Sequence, residues 1–283
     1  MTIPDITILN SLIDREPGSR KRPMFDSEVH KFHNTLHNTM RFDNFKNITT
    51  NDTEDYNTIT ELFKEKTHKW ICDHRLISFT GLDAFPDRDI CLGVTHQIDE
   101  LHMMYNKKIV IFDGDYPYHR RLFPKINKRT VDTLATGDVL VIATPFTFYN
   151  NDVHPEMPKI LEKCLQLKIP VHIDAAWYSC CRDINFNVDH PAIKTVTFSL
   201  SKALGMGVHR IGLRYARKPQ PGPVKIMNDF GYTNIADMWN GIQMMKKFGA
   251  DFWWDKYENH YNKVCEDFNL KPANAIHVAW DKD

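Results

Sequence analysis

The feature that most constrains this chain is an alternation of short apolar segments with helical stretches, from about residue 89 to residue 215. Helical spacing of apolar residues is clearest at Thr95–Tyr105 and Pro155–Leu167. The apolar segments are Asp89–Leu92, Lys108–Phe112, Asp138–Ala143, Pro170–Ile173, Thr195–Phe198 and Ile211–Tyr215. Short β-rich segments separated by helices predict an α/β fold in which helices flank a mostly parallel central sheet. Ligands of such sheets bind at the carboxyl ends of the strands.

Segments with other patterns flank this region. The N-terminal segment is polar, which predicts an arm with one helix near residues 26–40. The last predicts a long helix over residues 234–268 and then one strand-like stretch, Ala275–Trp280. We therefore divide the chain into a polar N-terminal arm (1–55), a large α/β domain (56–233) and a C-terminal part (234–283).

Composition and charge give no reason to expect a nucleic acid or a membrane as partner. The chain of 283 residues has 36 acidic and 36 basic side chains, and no run approaches the roughly 20 apolar residues that span a bilayer. Its start has no basic segment followed by an apolar one, and its six cysteines lack Cys-x-x-Cys spacing. We therefore expect a cytoplasmic protein. We expect no metal site, because His30, His33 and His37 fit one solvated helix face.

Three residues near the ends of predicted strands form a recognisable chemical set. Lys202 lies among small and hydroxylated residues in the run 197–212, and Arg210 follows in the same run. Asp174 ends an apolar segment upstream. An amine can form a Schiff base with a carbonyl cofactor, a cation can bind a phosphate, and a carboxylate can keep a ring nitrogen protonated. The set fits pyridoxal 5′-phosphate.

In order and residue type, residues 56–270 resemble the fold-type-I pyridoxal-phosphate enzymes, the aspartate aminotransferase superfamily. The resemblance is strongest over residues 169–215. It implies that Lys202 is the catalytic Schiff-base lysine and that Arg210 and Ser199 bind the cofactor phosphate.

The same resemblance implies contacts with the cofactor ring. Asp174 would lie beneath the pyridine nitrogen, as a second catalytic residue. Trp177 stands where many relatives have a tyrosine that bonds the ring oxygen, and Tyr178 is the alternative. The segment 115–118 resembles the one that stacks an aromatic side chain on the ring, with Tyr116 as the first choice and Tyr118 as the second.

Upstream, a strand passes through Gly93 into a helix, as in the phosphate-binding loop of the family. Backbone N–H groups and a hydroxyl at such a helix start can hold an anion. The cofactor-binding candidates of this loop are Gly93, Val94, Thr95 and His96.

Two features depart from the family pattern. The family's asparagine that bonds the ring oxygen has no counterpart after segment 138–143, where Thr147 or Asn150 could take its role. The small C-terminal domain, which often supplies an arginine for the substrate carboxylate, is reduced to the stub 271–283. That carboxylate would need another partner, and the candidates are Arg120, Arg121, Arg41 or a residue of a second subunit.

The resemblance implies an enzyme that acts on an amino acid or amine, with transamination as the first choice. A lyase, decarboxylase, retro-aldol or oxidase-type reaction on the same cofactor is the alternative. A non-catalytic relic that still binds pyridoxal phosphate is a third reading, against which the intact Asp174, Lys202 and Arg210 set argues. Relatives build the active site at a subunit interface, so a homodimer is implied.

Overall fold

The computed structural model describes residues 26–39, 52–146, 148–206 and 209–282, without the side chains of 37–39 and 52–58. Its helices are α1 (Ser27–Thr39), α2 (Asp52–Cys72), α3 (Val94–Tyr105), α4 (Tyr118–Leu122), α5 (Met157–Gln166), α6 (Pro223–Asp229), α7 (Ile235–Lys247) and α8 (Phe252–Asp267). Its strands are β1 (Ile77–Thr80), β2 (Asp87–Cys91), β3 (Ile109–Phe112), β4 (Asn127–Arg129), β5 (Val139–Ala143), β6 (Val171–Ala175), β7 (Ile184–Asn187), β8 (Ile193–Ser199), β9 (Gly212–Ala216), β10 (Leu270–Pro272) and β11 (Ala279–Asp281).

The central sheet has seven strands in the order β2-β9-β8-β6-β5-β3-β4. Strand β9 is antiparallel to both of its neighbours, and the other neighbouring pairs are parallel. This arrangement confirms the predicted α/β fold with a mostly parallel sheet. Because β9 enters the sheet at the edge where β8 ends, the connection 200–211 lies at the carboxyl ends of the parallel strands.

The apolar character of the inner strands has a direct cause in their position. Every residue of β3, β5, β6 and β9 is buried, because helices cover both faces of a parallel sheet. The sequence of such a strand is almost entirely apolar, so a polar residue within it is unusual and indicates a specific structural or functional role. Strand β6 has two such residues, His172 and Asp174.

Helices α2 and α7 pack beside the segment that carries Lys202. A Cβ atom on Gly241 of α7 would lie 2.9 Å from Phe63 of α2 and 3.0 Å from Leu200. The absence of a side chain at this position therefore allows both elements to approach the loop closely. Phe63 is fully buried, and truncation of such a phenylalanine to alanine costs about 3–5 kcal/mol.

The C-terminal part differs from the expectation of one long helix and one strand. Helix α7 ends before Phe248, which has an extended backbone (φ −120°, ψ 114°). Tertiary bonds hold the break: the Trp70 indole donates to the Phe248 carbonyl (3.0 Å), and the Asp251 carboxylate accepts from the Arg75 amide (3.2 Å). Strands β10 and β11 form an antiparallel pair, not the single predicted strand. Sequence periodicity could not show these contacts with distant residues.

The structure describes only part of the predicted N-terminal arm. Helix α1 lies within the predicted range 26–40, but residues 1–25 and 40–51 lie outside the described part of the chain. Phe32 of α1 packs edge-on against Phe248, with ring centroids 5.7 Å apart, and Lys256 pairs with Asp26 at 2.8 Å. The helix thus packs on α7 and α8. Within the described ranges, no helix is long and apolar enough to cross a membrane.

Candidate active site

A cleft lies at the carboxyl edge of the central sheet. It encloses about 560 Å³ of empty space, part of which is open solvent. Eight of the residues proposed from the sequence line it: Val94, Thr95, Tyr116, Asp174, Trp177, Ser199, Lys202 and Arg210. Four further lining residues were not foreseen: Ala143, Pro145, Ala176 and Ser201. The structure thus brings together residues from five separate connections of the sheet.

One end of the cleft is a cradle of backbone and polar side chains around Gly93. Gly93 has a φ of 73°, and a Cβ atom there would lie 3.0 Å from Arg210 Nη2 and 3.3 Å from Ser199 Oγ. Arg210 Nη2 also donates to the Thr95 hydroxyl. A residue with a side chain would fill the space that these donors surround, so the geometry suits an anion bound against the backbone.

Helix α3 begins in this cradle, with Gly93 as its N-cap. The amide groups of the first helical turn lack partners inside a helix and favour an anion at its start. The His96 amide differs, because it already donates to the Gly93 carbonyl at 3.1 Å. His96 Nδ1 in turn accepts from the Leu92 amide at 3.2 Å, so His96 stabilises the turn and does not line the cleft.

Asp174 forms the floor of the cleft at the end of β6. Its side chain accepts the Ala176 amide at 2.8 Å, and the residue is 6% exposed. Burial raises the pKa of this carboxyl to about 6, although the Ala176 N–H and the positive charge of Lys202 act in the opposite direction. Lys202 and Asp174 therefore interact electrostatically across the cleft, and most Asp174 side chains are ionised at pH 7.

Two tyrosines stand near the opening of the cleft. Tyr116 lines the cleft and is 37% exposed. Tyr118 stacks on Tyr116 with ring centroids 5.9 Å apart, and its hydroxyl donates to Asp99 at 2.8 Å. Tyr118 thus supports Tyr116 from behind and is not itself in the lining.

The wall near Lys202 is formed by Trp177. Lys202 Nζ lies 5.9 Å from the centroid of the Trp177 ring. The imidazole of His277 packs on the same indole, with ring centroids 4.5 Å apart. Tyr178, the alternative to Trp177, points elsewhere, because its buried hydroxyl donates to the Ile71 carbonyl at 2.8 Å. The C-terminal segment thereby reaches the wall of the cleft, through a residue that no local motif indicated.

The segment after β5 carries the two ring-oxygen candidates, Thr147 and Asn150. Thr147 lies outside the described residues. Asn150 is not in the lining, and its side-chain amide donates to Asn274 Oδ1 at 3.3 Å. Asn150 therefore connects the segment to the C-terminal hairpin, because the Asn274 amide also donates to the Asn150 carbonyl at 3.0 Å.

The two described arginines that were considered for a substrate carboxylate do not line the cleft. Arg120 and Arg121 are exposed on α4, and Arg41 lies outside the described residues. The charge of Arg121 still acts on the Tyr116 hydroxyl, whose pKa is raised by burial and by Asp174. Arg121 is therefore close to the opening of the cleft.

A buried ion network supports the cradle from below. Arg214 of β9 is fully buried, donates to Asp89 of β2 at 2.6 Å and pairs with Glu100 of α3. Glu100 also accepts the Val224 amide at 2.8 Å. The network joins the two strands and the helix whose ends carry Gly93 and Arg210. Within the described part of the chain, no group of three or more His, Cys, Asp and Glu residues could hold a metal ion.

Comparisons with known proteins give matches among solved structures. No protein-family model and no curated protein sequence matches the chain. The pyridoxal-phosphate-bound C-S lyase from Staphylococcus hominis aligns at a TM-score of 0.56 and 12% identity, over 77% of this chain and 66% of that one. The NifS-like protein from Rickettsia africae aligns at 0.57 and 11%, over 90% and 77%. Alanine aminotransferase from Pyrococcus furiosus aligns at 0.51 and 12%, over 76% and 71%.

These likenesses concern the fold. The chain spans 66% of the length of the C-S lyase, slightly under two thirds, and identities near 12% carry no assignment of substrate. The fold is that of the fold-type-I pyridoxal-phosphate enzymes, as the sequence resemblance implied.

Proposed function

We propose that this protein binds pyridoxal 5′-phosphate in the cleft and acts through Lys202 as an aminotransferase on an amino acid or amine. The observation that carries this proposal is the meeting of Lys202, Asp174 and Arg210 in one cleft, on a fold shared with pyridoxal-phosphate enzymes. Each of the three has the chemistry that one part of the cofactor requires.

The phosphate would bind in the Gly93 cradle. The guanidinium of Arg210 can form a charge-assisted bond with it, and the hydroxyls of Ser199 and Thr95 lie beside that guanidinium. The amides of Val94 and Thr95 begin α3 and add N–H donors. The His96 amide is left out of this proposal, because it already has a partner within the turn.

The ring would lie between the floor and the opening of the cleft. Pyridoxal phosphate, when bound, supplies an electron-accepting ring that stabilises a carbanion at the substrate Cα. The ionised Asp174 would keep the ring nitrogen protonated. Tyr116 would stack on the ring from the opening, and Trp177 or Thr147 would contact its oxygen side. The roles of Asp174, Tyr116 and Trp177 rest on their positions in the cleft, and that of Thr147 rests on the sequence alone.

Lys202 would have two tasks. Its amine would hold the cofactor covalently, and once released by the substrate amine it would move the proton at the Cα atom. The second task requires a neutral amine near the substrate, and the apolar ring of Trp177 lies beside this amine, with its centroid 5.9 Å from Nζ.

The covalent attachment has a direct test. The protein is loaded with pyridoxal phosphate, reduced with borohydride and digested, and the labelled peptide is identified by mass. We expect the label on Lys202 and none in Lys202→Arg, with Lys194→Arg as a control that keeps the label. A label on another lysine would contradict the proposal, as would a protein that takes up none.

The choice of reaction needs a separate measurement. A lyase is the second candidate, because a C-S lyase shares the fold at a TM-score of 0.56. The loaded protein is mixed with each of the twenty protein amino acids, with and without a 2-oxo acid acceptor, and products are identified by mass. Transamination gives paired oxo-acid and amino-acid products only with the acceptor, whereas a lyase forms product without it.

We also propose that the active unit is a cytoplasmic homodimer, as in relatives of this fold. Sedimentation of the loaded protein at several concentrations tests the dimer, and full activity of a monomer would refute it. The position of α1 changes how the arm should be tested. Deletion of residues 1–40 would remove Val29 and Leu36, which are buried. Deletion of residues 1–25 leaves α1 in place and is the suitable variant.

A further inference from the structure

A second buried carboxyl group lies close to the floor of the cleft. Asp115 follows β3, is 3% exposed and accepts two backbone N–H groups. Its Oδ1 accepts the Tyr116 amide at 2.6 Å, and its Oδ2 accepts the Ala143 amide at 3.2 Å. Tyr116 and Ala143 both line the cleft. Asp115 therefore ties the end of β3 to the end of β5 directly beneath two lining residues.

The bond from the Ala143 amide connects Asp115 to Asp174 through the backbone of β5. Ala143 is paired with Asp174 in the ladder between β5 and β6, and the Thr144 amide donates to the Asp174 carbonyl at 2.8 Å. The ends of β3, β5 and β6 are neighbours in the sheet. Two buried carboxyl groups thus flank the end of one strand, where burial makes each unit of charge costly.

We propose that Asp115 is a positioning residue that acts through Asp174: the two buried carboxyl groups, one on each side of the end of β5, are coupled electrostatically and together set the charge of the cleft floor. The coupling is a property of the protein without cofactor. Its consequence for the pyridine nitrogen rests on the proposed function.

The electrostatic surroundings support the coupling. Burial raises the pKa of Asp115 to about 7, and the negative charge of Asp174 raises it further, against the Tyr116 and Ala143 N–H groups. Asp174, with a pKa of about 6, ionises first. Of the charged side chains nearby, Asp174 acts directly on Asp115. Tyr116, Lys202 and Arg210 line the same cleft, and His154 packs on Phe112 of β3. The other titratable or charged side chains on adjoining elements are Asp113, Tyr118, His119, Arg120 and Arg121 beside Asp115 in the chain, and Lys128 and Arg129 of β4.

The sign of the effect on stability follows from linkage. Both pKa values are raised above the ordinary aspartate value, so the folded protein holds protons that the unfolded chain has lost. The contribution of these groups to the free energy of unfolding therefore falls as pH rises from about 4 to about 7 and is constant above that range. At pH 8 both groups are ionised and repel each other, whereas at pH 5 both are protonated.

A double-mutant cycle on the cofactor-free, full-length protein isolates the coupling. The free energy of unfolding in urea is measured at pH 5 and pH 8 for the wild type, Asp115→Asn, Asp174→Asn and the double variant. At pH 8 either substitution alone relieves the same repulsion. The sum of the two single changes in unfolding free energy counts this relief twice, so it should be more stabilising than the change in the double variant. At pH 5 the cycle should be additive. The matched control is a cycle of Asp113→Asn with Asp174→Asn, since Asp113 is exposed and paired with Lys128; it should be additive at both pH values.

A second measurement does not depend on the folding of Asp115→Asn. In protein labelled with carbon-13 at aspartate carboxyl groups, one signal should titrate near pH 7 and move to lower pH in Asp174→Asn. An additive Asp115/Asp174 cycle at pH 8, or a high-titrating signal that Asp174→Asn leaves unmoved, overturns the proposal.

The cofactor-loaded protein separates this inference from the proposed function. Loading of Asp115→Asn with pyridoxal phosphate should change less than about threefold, because Asn keeps one acceptor oxygen for the Tyr116 amide. The pH midpoint of the bound cofactor's absorbance should move to lower pH, since removal of a negative charge makes protonation near the floor less favourable. Failure to load any variant would refute the proposed function while the cycle still tests the coupling. An unchanged midpoint in a loaded variant would refute the role of Asp115 toward the cofactor.

Discussion

The two sides of the cleft are built by different means. On the side of Gly93 and Arg210, polar groups meet over β2, β8 and β9, and the buried Arg214 network fixes the strands beneath them. On the opposite side, Tyr116 is partly exposed, and the wall consists of aromatic rings held by loop segments. The first side is positioned by the sheet, whereas the second depends on contacts between loops.

This difference has a physical consequence. Strands that are buried on both faces allow little choice of register, because a shift by one residue would move each side chain to the other face. Loop segments lack that constraint, and their positions depend on single hydrogen bonds such as those of Asn150 and Asn274. Substitutions on the first side should therefore have larger effects than substitutions on the second.

The largest effect should come from Arg214→Met. The substitution leaves Asp89 and Glu100 buried without their cation, which costs about 3–5 kcal/mol of unfolding free energy. Urea denaturation at pH 7 measures the loss. The control is Arg75→Met, whose side chain is 64% exposed in its ion pairs and whose loss should be much smaller, because solvent screens exposed pairs. Equal losses in both variants would mean that the buried network stabilises the fold no more than a surface ion pair does.

Asp174→Asn should come next. The amide cannot keep a ring nitrogen protonated, so kcat should fall by at least about a hundredfold, while cofactor loading changes much less. Turnover and cofactor titration are measured on the same preparation, with the exposed Asp132→Asn as control. Normal turnover in Asp174→Asn would show that this residue only caps the end of the strand and has no catalytic role.

Arg210→Ala should weaken cofactor binding. Loss of one charge-assisted phosphate bond is worth about 1.5–3 kcal/mol, which corresponds to roughly 10- to 100-fold in the dissociation constant. Fluorescence titration with pyridoxal phosphate measures it, and the exposed Arg120→Ala serves as control. A dissociation constant equal to that of the control would place the phosphate outside the Gly93 cradle.

The smallest effect should come from His277→Phe, which keeps a ring against Trp177. Aromatic pairs of this kind contribute about 0.5–1.5 kcal/mol, so His277→Phe should retain KM within about threefold, and His277→Ala should raise it further. Steady-state kinetics on the best substrate compares them, with the exposed His260→Ala as control. If KM of His277→Phe rose by as large a factor as the cofactor dissociation constant of Arg210→Ala, the loop side would contribute as much as the sheet side.

The sequence predicted the sheet side of the site better than the loop side. Gly93, Thr95, Ser199 and Arg210 could be found because each lies at the end of a predicted strand or within four residues of one. His96 was the exception, since the partner of a backbone amide depends on the geometry of the turn. The division of the chain into three parts stays a prediction.

On the loop side, Asp115 and His277 gave no signal of their own. Asp115 acquires its position from the Ala143 amide, and His277 acquires its position from a hairpin that packs on distant residues. A pair of contacts between segments far apart in sequence leaves no periodicity, so no pattern of one sequence could indicate either residue.

The antiparallel direction of β9 has a consequence for how the molecule folds. Lys202 and Arg210 lie on the single connection between β8 and β9, so these two residues can meet as soon as a local hairpin forms. Thr95, the partner of Arg210, is 115 positions away, and closing so long a loop costs more chain entropy. Contacts of low sequence separation form sooner than distant ones. We therefore expect amide protons of the β8–β9 pair to gain protection from exchange before those of β2. Arg210 would then reach its position before the loop at Gly93 forms around it.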